Sequence, residues 1–162
     1  MKKTLAAICA TLLLATASYA QSSATLTISG KVVPINTIMV AAQSGYNALD
    51  LVNGETLKVV GIATETSNDK LGYSVTLKSA NAGTGTQAFL KGALTGNSDT
   101  VNYSITYGGT LVALSSGSAT VTTATGRTDK TGIDKNVAIT FSGGWYAADT
   151  YSDTLTLTIA PN

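Results

Sequence analysis

Residues 151–160 read Tyr151-Ser152-Asp153-Thr154-Leu155-Thr156-Leu157-Thr158-Ile159-Ala160. Side chains of an extended chain alternate between two faces. Here Tyr151, Asp153, Leu155, Leu157 and Ile159 share one face, and Ser152, Thr154, Thr156, Thr158 and Ala160 share the other. A helical period of 3.6 residues would scatter these two sets around the axis, whereas a period of two separates them. Thr and Ile are β-branched and suit a pleated, half-buried surface. The stretch therefore reads as a strand with an apolar inner face and a Thr-lined outer one.

The same period organises the rest of the chain. Ala24, Leu26, Ile28, Gly30 and Val32 alternate with Thr25, Thr27, Ser29 and Lys31 over residues 24–32. Further strands are predicted near 35–42, 48–52, 56–65, 71–79, 86–91, 99–107, 109–114, 119–124 and 135–142. Turn residues separate them: Asn53-Gly54 and Gly108-Gly109 are hairpin signals. Residues 67–70, 81–85, 96–98, 115–118 and 126–135 read as loops. No window sustains a helical apolar stripe, and no fixed-length repeat is visible. Many short strands with regular turns predict an all-β fold, an antiparallel β-sandwich, with a closed barrel as the alternative.

Composition narrows the chemistry. The 162 residues include no His, one Cys and 12% charged residues, with a formal net charge of +1. Without His there is no Ser-His-Asp triad and no His-ligated zinc. Cys9 alone forms no intrachain disulfide and no Cys-based metal centre. No basic patch is present to neutralise phosphates, so no nucleic-acid partner is expected. Nearly all of the nine acids sit in turn-like sequence beside Gly, Asn or Ser. There Asp makes local turn hydrogen bonds, so these acids read as solvated. No catalytic residue, metal site or cofactor is expected, and the chain does not read as an enzyme.

The first residues read as an address. Met1-Lys2-Lys3 is a basic start, Thr4–Ala17 is apolar around Leu12-Leu13-Leu14, and Ser18-Tyr19-Ala20 ends in small residues. This is a secretory signal pattern, with cleavage expected after Ala20. Its loss would remove Cys9, Lys2 and Lys3, lowering Lys+Arg from 10 to 8 against 9 acids. The expected organisation is a signal peptide over 1–20, an N-terminal extension over 21–34 and a β-sandwich over 35–162.

Two features stand out as candidate interaction sites. Trp145-Tyr146 follows Gly143-Gly144. The aromatic pair offers a surface for a sugar or a partner subunit, but aromatic bodies usually bury, so Trp145 is expected to cap the core. The alternating segment 24–32 either pairs within its own sheet or adds as a strand to another subunit. Gly30 within it marks a close backbone approach.

Four segments resemble fimbrial subunits of the chaperone–usher class. They are LTISGKVVP at 26–34, ETSNDKLGYSVTLK at 65–78, YSITYGGTLV at 103–112 and DTYSDTLTLTI at 149–159. The chain is most similar to Cys-free major pilins of the alternate, colonization-factor type, and more loosely to archaic spore-coat-U-like pilins. The resemblance implies an incomplete immunoglobulin-like sandwich closed by a donated N-terminal strand. It implies donor positions at Ala24, Leu26, Ile28, Gly30 and Val32, and an acceptor groove at Leu155, Leu157 and Ile159 that first faces a periplasmic chaperone. The implied partners are other copies of the chain or related pilins, that chaperone and an outer-membrane usher. The expected location is the periplasm in transit and then a cell-surface fimbria that supports adhesion or biofilm formation. The competing expectation is a secreted, self-contained β-sandwich that acts as a binding module or adhesin.

Overall fold

A computed structural model describes residues 22–162; the expected signal peptide and Cys9 lie outside the described residues. The chain falls into two units divided at Val32/Val33. Over residues 22–32 the first unit forms no strand, and all its side chains are exposed. Leu26, Ile28 and Val32 are 83%, 87% and 82% exposed. The strand expected at 24–32 is therefore not formed. Its alternation supplies two faces, but a strand also needs a ladder partner, and this segment has none among the described residues.

The second unit is all-β and antiparallel. Its strands are β1 (Asn36–Ala42), β2 (Gly54–Ser67), β3 (Tyr73–Ser79), β4 (Ala88–Gly92), β5 (Thr100–Tyr107), β6 (Thr110–Leu111), β7 (Ser118–Ala124), β8 (Ile133–Ser142), β9 (Tyr151–Ser152) and β10 (Leu155–Pro161). The larger sheet runs β1-β2-β8-β5-β4-β9, with β6 paired to β5, and the smaller runs β10-β3-β7. One core joins the two sheets. Ala63, Val101, Ile105, Val137, Ile139 and Phe141 meet Leu77 there. The architecture is a β-sandwich rather than a closed barrel, because each sheet keeps two edges.

Three expected elements differ, each for a local reason. Residues 48–52 form no strand; a turn covers 51–53 and is closed by the Gly54 amide on Asp50 O at 2.8 Å, so Asn53-Gly54 does not join a hairpin. The Asp50 side chain drives this: its Oδ1 accepts from the Val52 and Asn53 amides at 3.2 and 3.0 Å, and its Oδ2 accepts from Asn53 Nδ2 at 2.7 Å. These bonds, the Asn53 side chain foremost, hold the Asp50 carboxyl below its usual range. The hairpin at Gly108-Gly109 does form, with φ of +55° and +87° at the two glycines, the left-handed values such a turn needs. Its second strand, however, is only Thr110–Leu111. Finally, the long strand at 151–160 breaks at Asp153-Thr154. There the chain changes sheets: β9 pairs with β4 in the larger sheet, and β10 with β3 in the smaller.

Candidate functional site

The site lies where β1 and β10 end their sheets. Among the described residues β1 pairs only with β2, and β10 only with β3, so each carries one ladder edge without a partner there. The inner face of β10 is Leu155, Leu157 and Ile159, all half-buried, while Thr156 and Thr158 face out. A groove of about 360 Å³ opens between these edges, walled by Val40, Leu49, Val60, Leu90, Leu155 and Leu157. Ile159, expected in the same groove, is half-buried but is not part of this lining. Tyr46 and Leu49 come from the turn-rich connection after β1 and add to one wall. Sequence reading missed Leu49 because it took residues 48–52 as a strand, and Tyr46 because it fell between two expected strands.

One end of the groove is polar. Tyr103 and Asp153 belong to its lining. Asp153 Oδ2 accepts from the Tyr103 and Ser79 hydroxyls, both at 2.6 Å. Its Oδ1 accepts from the Asn81 and Thr154 amides at 3.0 and 2.7 Å. Burial first, and then the facing carboxylate, push the Tyr103 hydroxyl far above the usual phenol range. Asp153 thus fixes the point where the chain crosses between sheets and closes one end of the apolar groove.

A second carboxylate holds the core together. Glu65 is fully buried, which corrects its reading as a solvated turn acid. It continues the inward face of β2 after Gly61 and Ala63. Its Oε1 accepts from Tyr107 at 2.6 Å and Thr122 at 2.7 Å, and its Oε2 from Tyr73 at 2.8 Å. These donors stand on β5, β7 and β3, so the carboxylate ties the two sheets together. The strand expected over 56–65 already puts Glu65 on the face of Gly61 and Ala63, so the signal is present and the turn-like residues after it outweigh it. Asp153, half-buried and fully engaged, is likewise not a solvated turn acid.

The aromatic pair divides. Trp145 is 95% exposed, so it does not cap the core. Tyr146 turns inward instead and packs against the core beside Tyr151, with ring centroids 5.9 Å apart and planes at 55°. Gly144 makes room for that turn, since a Cβ there would stand 2.7 Å from the Tyr146 ring. With the space on the core side taken by Tyr146, the neighbouring indole is left in solvent. Asp149, nearby, accepts from Asn97 Nδ2 and from the Leu94 and Thr150 amides. Partial burial opposes its charge, but these donors hold its carboxyl below the usual range. Among the described residues no group of three or more acidic or thiol side chains is placed to hold a metal ion.

Compared with protein-family models and with curated proteins, the sequence matches none.

Proposed function

We propose that the chain is a structural subunit of a bacterial surface fimbria, polymerised when the N-terminal segment of one copy fills the groove of the next. One observation carries this reading. Among the described residues the chain has an apolar groove between two strand edges that pair with nothing further, and also a segment without a ladder partner that alternates Ala24, Leu26, Ile28, Gly30 and Val32. An open edge invites strand addition, and natural folds normally cover or blunt it. Burying each branched side chain of the donor would contribute about 1.5–3 kcal/mol. The resemblance to chaperone–usher pilins adds the immunoglobulin-like identity of the sandwich, a chaperone that covers the groove in the periplasm and an usher that exchanges it at the outer membrane.

The test uses residues 21–162, purified and separated on detergent gels without and with heating. The expected result is a ladder that is stable unheated and collapses on boiling. Ile28→Asp should remove the ladder without unfolding the domain. A wild-type chain that stays monomeric at all concentrations, with or without chaperone, would overturn the reading.

A second reading rests on Trp145. An indole 95% exposed is available to stack on a sugar ring, as a self-contained binding module would require. Loss of glycan binding in Trp145→Ala, from a chain that never polymerises, would favour it.

A further inference from the structure

The β1–β2 ladder begins at the pair Asn36–Ser67. One residue further out, a backbone bond still forms, from the Asn68 amide to Ile35 O at 3.0 Å. Beyond that stands Pro34, which has no N–H to offer a ladder. Here the Asn68 side chain takes over. The Ile35 amide donates to Asn68 Oδ1 at 2.7 Å, and Asn68 Nδ2 donates to Val33 O at 2.8 Å. The carboxamide acts as a peptide group would, accepting on one side and donating on the other across the proline. Its orientation is determined, since a flipped amide would set donor against donor and acceptor against acceptor.

The base of this clamp is itself fixed. Ser67 Oγ donates to Asn36 Oδ1 at 2.7 Å and accepts from the Asp69 amide at 3.2 Å. The Ser67 amide donates to Thr128 Oγ1 at 3.0 Å. Asn68 therefore leaves a rigid corner of the sandwich and grips the chain at Val33 and Ile35.

We infer that Asn68 is the positioning residue that removes slack between one subunit and the next. The inference rests on the proposed donor-strand reading. The last donor position is Val32, and the clamp begins at Val33. Consecutive Cα atoms are about 3.8 Å apart, so a segment seated through Val32 in a neighbour is joined to its own sandwich by a single peptide unit. Releasing Val33 and Pro34, with Ile35 O still held by the Asn68 amide, would add two residues of free chain, about 7 Å of reach at full extension. The fibre with the clamp is stiff, and the fibre without it bends at each junction.

The experiment compares chain 21–162 as wild type, Asn68→Ala and Asn68→Asp. In unpolymerised chain, the Ile35 amide should be protected from hydrogen exchange and should exchange about tenfold faster in Asn68→Ala. Asn68→Asp keeps the acceptor for Ile35 but loses the donor to Val33, so it should retain that protection. In fibres imaged by electron microscopy, Asn68→Ala should form at wild-type yield with persistence length reduced about twofold or more, and Asn68→Asp should lie between. Inserting Gly-Ser between Val33 and Pro34 should reproduce the bending without touching Asn68, which serves if Asn68→Ala does not fold. Equal stiffness in the loosened fibres overturns the inference. A wild type that forms no fibre overturns it together with the polymer reading, and protection of Ile35 then tells a real clamp without a polymer from no clamp at all.

Discussion

The Tyr103 hydroxyl lies 2.6 Å from Asp153 Oδ2, joining a core residue of β5 to the residue at which the last strand changes sheets. The two Asp153 oxygens are not equivalent. One faces hydroxyls, which can rotate to accept as well as donate, and the other faces backbone amides, which cannot. Asp153→Asn can therefore set its carbonyl toward the amides and its NH₂ toward hydroxyls that turn around. It should cost about 1 kcal/mol in urea unfolding, whereas Asp153→Ala should cost about 3 kcal/mol by stranding both sets. Equal losses would remove the distinction between the two oxygens.

Glu65 offers a sharper case, because all three of its donors are hydroxyls. No cation compensates its charge among the bonds it makes, and an amide of the same shape could satisfy the same partners. Glu65→Gln should therefore unfold within about 1 kcal/mol of wild type, while Glu65→Ala, which leaves three hydroxyls unpaired beside a cavity, should lose about 3–4 kcal/mol. A large loss in Glu65→Gln would mean that the charge itself, not the hydrogen-bond count, holds the sheets together.

These carboxylates also set the alkaline limit of the fold. Burial foremost, and then Glu65 or Asp153, raise the hydroxyls of Tyr73, Tyr107 and Tyr103 above the ordinary phenol value. A group whose folded pKa is raised contributes stability that is complete below its unfolded value, about 10 for Tyr, and that declines as pH rises toward the folded one. The melting temperature should therefore begin an additional fall above about pH 10. Phenolate absorbance from these three rings should appear only with unfolding. Replacing any one by Phe should leave the absorbance change before unfolding as it was; a smaller change would show that the ring titrates in the folded state.

Much of this architecture is legible in the sequence, and the exceptions share a cause. The period-two pattern places β3 and β5 within about two residues, because each turns one alternating face toward the core; β7 falls where expected too, although an irregularity between Thr120 and Thr122 breaks its alternation. The same alternation puts Leu155 and Leu157 on the inward face of β10, whereas a groove along that face is implied by the resemblance and not by the period. Pattern alone does not say where a polar residue is captured. Asp50 turns 48–52 out of a strand, Asp153 breaks 151–160, and Glu65 goes into the core instead of a turn. Each outcome depends on partners far along the chain or on a specific turn bond. The segment 24–32 has a strand's pattern but no partner among the described residues, and periodicity alone cannot supply one.

Trp145 and Tyr146 are adjacent in sequence and opposite in environment. Trp145→Ala should leave stability within about 0.5 kcal/mol of wild type, as expected for a surface change. Tyr146→Ala should cost about 1–2 kcal/mol, because its ring packs on Tyr151 over Gly144. A destabilising Trp145→Ala would show that the indole packs against the protein in solution.

Donor and acceptor are different parts of one chain, so they can be disabled separately. Ile28→Asp spoils the segment and leaves the groove able to receive; Leu157→Asp spoils the groove wall and leaves the segment able to insert. A charge carried into the apolar groove would meet no partner there and is strongly disfavoured. Neither variant alone can form a dimer through this route. Mixed, the intact segment of Leu157→Asp has one place to go, the intact groove of Ile28→Asp, and the resulting pair exposes only a spoiled segment and a spoiled groove. The mixture should give a heterodimer that survives detergent and nothing longer, measured by gel and by mass. Either variant added to wild type should shorten ladders in proportion to its share. Ladders from either variant alone would mean that the segment and the groove are not the two halves of one joint, and so would a mixture of two folded variants that gives no dimer.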